Sequence, residues 1–146
     1  MILTPFKLHA IFGLILIIAG FAFDFLYLAP KVSESFKANP VQYLNSFERY
    51  MHDLIKTYAI AIGLVNIGLA LLASNFAGPL KTDWAIAWLM IVSTIIFIAA
   101  GFWYANAGPA FEWELRCTVL TISFAGILLS IALEAYKIIK WSGASA

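Results

Sequence analysis

Charge is scarce in this sequence. Asp, Glu, Lys and Arg make up 12% of its 146 residues, about half the share found in a soluble domain. A chain that is also 63% hydrophobic, with a mean hydropathy of +0.91, has lipid as its expected solvent. The net charge is only +1, so there is no basic field to attract nucleic acid. Cysteine is limited to Cys117, which excludes an internal disulfide and any site built from several cysteines. Histidine is limited to His9 and His52. With scattered carboxylates and no H-x-x-x-H or E-x-x-H spacing, no dedicated metal motif is present. Internal repeats and low-complexity tracts are lacking too. The length allows a single domain, residues 1–146.

What the chain does have is four long apolar runs. The first, about 8–29, matches the ~20 residues that cross ~30 Å of hydrocarbon. Lys7 precedes it, as in a signal peptide, but the run exceeds the usual apolar core of roughly 7–15 residues and has no small-x-small cleavage site. It is expected to be a retained span that Pro30 stops. Span 2 covers about 52–74 and is ended by Asn75, Gly78 and Pro79. Lys81-Thr82-Asp83 makes a short turn, with Asp83 expected to cap span 3 at about 84–105. So short a connection requires antiparallel neighbours. Trp84, Trp88, Trp103 and Tyr104 mark an aromatic belt at the two ends of span 3. Pro109 is expected to open span 4, about 113–136, with Glu112 and Glu114 in a first turn where the helix dipole favours acids.

Between spans 1 and 2, Asn39-Pro40 has the pattern of an N-cap followed by a first helical proline. Val41, Leu44, Phe47 and Met51 then share one face, with Gln42, Asn45 and Arg49 off it. A continuous helix from Pro40 to Phe76 would be roughly 55 Å long at 1.5 Å per residue, longer than the bilayer is thick. Residues 40–51 are therefore expected to lie in the interface as an amphipathic helix, with Tyr43, Phe47 and Tyr50 at headgroup depth. The expected fold is an all-α, integral membrane four-helix antiparallel bundle carrying that interfacial helix. Small residues at Ala59 and Gly63, and at Gly126 and Ser130, suit close helix packing, first of all inside the bundle. Basic residues divide four (Lys7, Lys81, Lys137, Lys140) against five (Lys31, Lys37, Arg49, Lys56, Arg116) between the two sides, so the positive-inside rule does not decide orientation. Both termini are assigned to the cytoplasm as the working expectation.

An antiparallel bundle gathers the end of span 1, the start of span 2, the end of span 3 and the start of span 4 at one face. That face collects Asp24, Arg49, His52, Asp53, Lys56, Tyr104, Glu112, Glu114 and Arg116. Arg49 and Asp53 are four apart, as are His52 and Lys56, so each pair shares a helix face. Asp24 and Lys56 lie at comparable depth, and pairing them would remove much of the cost of both charges. One reading makes this a candidate polar site for a ligand, a proton relay or a metal, with His52 as its titratable member. The other, more frequent, makes these interfacial charges that anchor helix ends. Asp24 stands apart, because an acid inside an apolar run is a functional candidate by default.

No cofactor is strongly implied, and which one the chain would hold is left open. His9 and His52 begin oppositely directed spans, roughly 30 Å apart, and cannot hold one haem within a chain. A single-histidine haem, a haem shared between subunits, or a metal on His52, Asp53 and Glu112 or Glu114 are the remaining variants. His9, beside Lys7, reads as a solvated boundary residue. Asn66, deep in span 2, calls for a hydrogen-bond partner among Ser93, Thr94, Thr121 and Ser123. Cys117 follows Arg116, which favours a thiolate, yet a boundary cysteine is more often inert, and no residue is assigned as catalytic. The leading expectation is a non-catalytic accessory or scaffolding subunit of a larger membrane complex. Its partners would be the lipid bilayer and other membrane subunits or further copies of itself. A ligand- or redox-cofactor-binding membrane protein using the Asp24/His52 face, possibly an enzyme, is the alternative. A small oligomeric transporter or channel is the third.

Overall fold

Thr4 starts the first helix: its hydroxyl accepts from the backbone N–H of Lys7 at 3.4 Å, and Pro5 takes the first helical position, where a missing N–H costs nothing. In the computed structural model, residues 4–39, 41–42, 45–73, 80–110 and 112–142 are described. Helix α1 (Pro5–Phe23) buries Pro5, His9, Gly13, Leu16 and Gly20, a single stripe at helical spacing. Contrary to the expectation from Pro30, the helix does not stop there. A wide π-helical turn, Asp24–Leu28, carries it directly into α2 (Ala29–Ala38). Proline lacks an N–H, and its ring crowds the carbonyl four residues back. Here the N–H of Ala29 reaches five residues back, to the Asp24 carbonyl. The turn before Pro30 is thereby widened, and the chain passes the proline still helical. The first span runs Pro5–Glu34.

The expected interfacial helix over 40–51 is not one element. Asn39 does cap a turn, its Oδ1 accepting from the Gln42 N–H at 3.2 Å. The chain then caps again at Ser46, whose hydroxyl accepts from the Arg49 N–H at 3.3 Å. Helix α3 (Phe47–Ala73) begins there, so residues 47–51 belong to span 2. Pro40, Tyr43 and Leu44 lie outside the described residues. Helix α4 spans Leu80–Ala107 and helix α5 spans Leu115–Ser142. The structure departs from the sequence pattern at two further points. Asp83 sits inside the first turn of α4 rather than capping it. Pro109 does not open α5: Glu112 and Glu114 precede that helix. The linker folds back on itself instead. Gly108 takes a positive φ of 84°. The Arg116 guanidinium donates to the Gly108 carbonyl at 2.9 Å, and the Trp113 indole N–H donates to the Thr118 hydroxyl at 2.8 Å.

The described residues hold helices and no strand. Four of the helical stretches, Pro5–Glu34, Phe47–Leu72, Lys81–Ala107 and Leu115–Lys140, are long and apolar enough to cross a membrane. Successive long helices of the chain touch one another. Helix α1 meets α3 where Gly13 and Gly63 bring the two backbones together: a Cβ on Gly13 would lie 2.6 Å from the Gly63 carbonyl oxygen. Tyr58 of α3 stacks edge-on against Phe97 of α4 at 5.5 Å. Helix α5 meets α4 through Gly126, which leaves room for Ser93, and through Ser130, whose hydroxyl donates to the Met90 sulfur at 3.1 Å. Both small-residue seams are thus packed within the chain. The core is Leu16, Ile62, Leu69, Met90, Phe97 and Ile127. Helices α3 and α4 hold the centre, while α1 and α5 flank them with little contact between the two flanks.

Candidate functional site

The residues singled out from the sequence fall into three groups at the end of the molecule that carries the π turn. In the first, Lys56 of α3 lies 3.0 Å from Asp24 and 3.1 Å from Asp53, one turn earlier on its own helix. Asp24 and Lys56 thus meet as their depths suggest, but half-exposed rather than buried. In the second, His52 is only 2% exposed and sits among three rings. Phe23 and Tyr27 approach it edge-on at 5.8 and 5.6 Å, and Phe102 of α4 lies at 5.7 Å. The π turn contributes to both groups, since it places Asp24 against Lys56 and Tyr27 against His52. Beside His52 opens a cleft of about 290 Å³ lined by Lys31, Asn39, Gln42, Ser46, Glu48 and Arg49. Lys31 pairs with Glu48 across it and also donates to the Tyr27 hydroxyl at 3.3 Å. Arg49 further lines a second cleft, with Asp24 and Asp53.

The third group stands apart from the first two. Arg116 pairs with Glu114 through Nε at 2.7 Å and through Nη2 at 3.1 Å, a two-pronged contact, and lies over the Tyr104 ring at 5.0 Å. This locks the linker before α5 and leaves Arg116 only 6% exposed. Glu112 is exposed and joins none of the three groups. Chemically, this end offers a polar cleft with cations, one carboxylate and side-chain amides, a lining suited to a zwitterionic or anionic group.

The more deeply buried polar cluster is at the opposite end, where the sequence reading placed only caps and boundary charges. Lys137 of α5 lies 2.9 Å from Asp83 of α4 and 2.6 Å from Glu134, one turn back on α5. The three side chains are 5%, 3% and 2% exposed. The Lys137 ammonium also lies 5.8 Å from the centre of the Phe6 ring on α1. One turn further along α1, His9 is 1% exposed rather than solvated. Its Nδ1 lies 2.7 Å from Oδ1 of Asn66. The partner of Asn66 is therefore His9, and none of the four hydroxyl residues expected from the sequence.

A signal for this cluster was present in the sequence. The buried positions of α5 are Arg116, Ser123, Ile127, Ser130, Glu134 and Lys137. They recur on a seven-residue pattern, and all but Ile127 are polar. A polar stripe of that period in an otherwise apolar helix marks a face turned away from lipid. Among the described residues, no group of three or more His, Cys, Asp and Glu is arranged to hold a metal ion. No protein-family model, curated protein or solved structure matches this chain.

Proposed function

We propose that this chain is a multi-pass membrane protein acting as a non-catalytic accessory or scaffolding subunit of a larger membrane assembly. In this reading both termini face the cytoplasm and the four spans form an antiparallel bundle. Of the interfacial helix expected over 40–51, the described residues that precede α3 (Val41, Gln42, Asn45 and Ser46) rest in the membrane interface. The partners are the lipid bilayer and other membrane subunits or further copies of the chain. The supporting observation is the unequal burial of the spans: the buried share of the apolar stretch is 50% in α4 and 39% in α3, against 22% in each outer span. Helix α5 leaves Ile122, Leu129, Leu133 and Ile139 exposed along one side. Between α3 and α5 runs a groove of about 250 Å³ walled by Tyr58, Phe97 and Phe124. Membrane helices associate through shape and close contact, since lipid removes the hydrophobic incentive, and this groove offers shape. The ion pairs around the π turn fit the same role, because they neutralise one another and anchor helix ends. Native mass spectrometry of protein extracted in mild detergent from its own membrane, with an absorbance spectrum of the same sample, tests the proposal. Larger unrelated chains and no chromophore are the expected result; a lone chain or a bound chromophore refutes it.

A second reading draws on the cleft beside His52: a polar ligand, or the head of a redox cofactor, seated between Lys31, Arg49 and the aromatic cage. It expects a co-purifying small molecule whose occupancy falls at least tenfold in His52→Ala while the helical circular dichroism is unchanged. An unchanged occupancy would remove it.

A further inference from the structure

The end of the molecule that carries the π turn holds two adjoining clefts. The first lies beside His52 and has Lys31 and Arg49 as its cations, with Glu48 as its one carboxylate. The second, of about 350 Å³, holds Asp24 and Asp53. Leu28 and Arg49 line both clefts, so the two share a wall. Cations are in excess on one side of that wall and carboxylates on the other. Counted with Lys56, which pairs with Asp24 and Asp53, three cations face three carboxylates. The whole is balanced and its halves are not. A ligand that complements it carries both signs a short distance apart and no net charge.

Each half has hydrogen-bonding capacity to spare. An ammonium carries three donors. Among the described residues, Lys31 uses one on Glu48 and one on the Tyr27 hydroxyl at 3.3 Å. The Ser46 hydroxyl accepts from the Arg49 N–H and keeps its own hydrogen to donate. The planar fork of an arginine matches phosphate oxygens. Across the wall, Lys56 meets only Oδ1 of Asp24 and of Asp53, and both acids are half-exposed. Oδ2 of each is left to accept from a second cation. A quaternary ammonium is held by aromatic faces, and no aromatic ring is among the described residues lining the second cleft. Carboxylates suit an ammonium that donates hydrogen bonds. Depth agrees with a headgroup: the first span ends at Glu34 and the second begins at Phe47. Val32, exposed at the second cleft, gives apolar ground for tails.

We propose that the two clefts form one site for a phosphoethanolamine group, with its phosphate against Lys31 and Arg49 and its primary ammonium against Asp24 and Asp53. A membrane lipid brings this group to that depth, and the free phosphoester is the other source of the same chemistry. The inference rests on the second reading above, a polar ligand beside His52, and names the class of that ligand. Binding makes and breaks no covalent bond.

Native mass spectrometry of the full-length protein, stripped of lipid by detergent exchange, tests the site. It is titrated with dioleoyl phosphatidylethanolamine, phosphatidylcholine or phosphatidylglycerol. The ethanolamine lipid is expected to bind about fivefold more tightly than either of the others, the effect of roughly one charge-assisted hydrogen bond. Arg49→Gln removes that tight adduct. Asp24→Asn with Asp53→Asn keeps phosphate binding and reverses the order in favour of phosphatidylglycerol. A parallel titration with O-phosphoethanolamine separates the sources: weaker binding than the lipid assigns the headgroup, equal binding assigns the free phosphoester, and both sustain the site. Equal retention of the three lipids overturns the proposal, as does an order left unchanged in the double Asn variant. A preference for phosphatidylglycerol in the unsubstituted protein overturns it while a ligand beside His52 still stands. Binding of neither lipid nor phosphoester overturns both. Should Arg49→Gln fail to fold, the double Asn variant and the unsubstituted order still give the answer.

Discussion

The two ends of the molecule contain the same device in two solvents. At the π-turn end, Lys56 pairs with Asp53 one turn back on its own helix and with Asp24 on the helix before it. At the other end, Lys137 pairs with Glu134 one turn back and with Asp83 on the helix before it. Residue types, spacing and separations nearly coincide: 3.0 and 3.1 Å in one, 2.9 and 2.6 Å in the other. Exposure does not. The Lys56 group is 21% to 49% exposed and the Lys137 group 2% to 5%. The comparison teaches that distance alone does not set what an ion pair does for a fold. Where water reaches the charges, the pair is nearly neutral in free energy. Where it does not, the pair is a constraint that no single partner can leave.

The largest expected effect follows directly. Lys137→Met leaves two carboxylates buried with no cation and should cost about 3–5 kcal/mol. Lys56→Met removes the equivalent ammonium at the wet end and should cost at most about 1 kcal/mol. Reversible unfolding in mixed micelles measures both. Equal losses would mean that the two ends share one solvent. Removing the whole dry group should have the opposite sign. Asp83→Leu with Glu134→Leu and Lys137→Met, made together, replaces charges by apolar volume and should be neutral or stabilising by up to about 4 kcal/mol. Loss of stability in this triple variant would show that the network contributes more than its own desolvation costs.

Much of this contrast was legible in the sequence at the level of spans and not at the level of charges. Four apolar runs define four crossing helices because length and hydropathy are local properties. Pro30 misled, since one wide turn at Asp24–Leu28 lets a helix pass a proline, and that adjustment has no residue signature. Glu112 and Glu114 resembled first-turn acids, but the hold of Arg116 on Gly108 and Glu114 defers the helix to Leu115. Asp83, Glu134 and Lys137 looked like boundary charges because each lies near a helix end. What buries them is contact between α4 and α5, a long-range fact that only the seven-residue polar stripe of α5 hinted at. His9 was misread for the same reason: its neighbour Lys7 is exposed, while its own side points at Asn66.

Close backbone contact between α1 and α3 gives a smaller test. Gly13→Ala places a methyl group 2.6 Å from the Gly63 carbonyl, which cannot swing aside. Helices α1 and α3 must part next to the His9–Asn66 pair, at about 1–3 kcal/mol. Gly20→Ala, toward the π turn, meets Ile60 Cγ1 at 2.6 Å instead, a side chain that can yield only by leaving its preferred rotamer, and should cost less than Gly13→Ala. Thermal unfolding of the two variants compares them, and faster amide exchange near Asn66 in Gly13→Ala alone would place the opening.

The smallest expected effect is the most diagnostic. Exposed charges are screened when the Debye length shrinks from ~8 Å at physiological salt to ~3 Å at 1 M. The modest penalty of Lys56→Met should therefore fall toward zero in concentrated salt, since Asp24 and Asp53 are then shielded by solvent cations in both proteins. The penalty of Lys137→Met should stay as it was, because ions cannot reach carboxylates that are 2% and 3% exposed. Melting the unsubstituted protein and the two variants at low and high salt gives the difference of differences, in which general salt effects on the micelle cancel. If the Lys137→Met penalty also shrinks, solvent cations reach Asp83 and Glu134. The two ends would then differ in degree and not in kind.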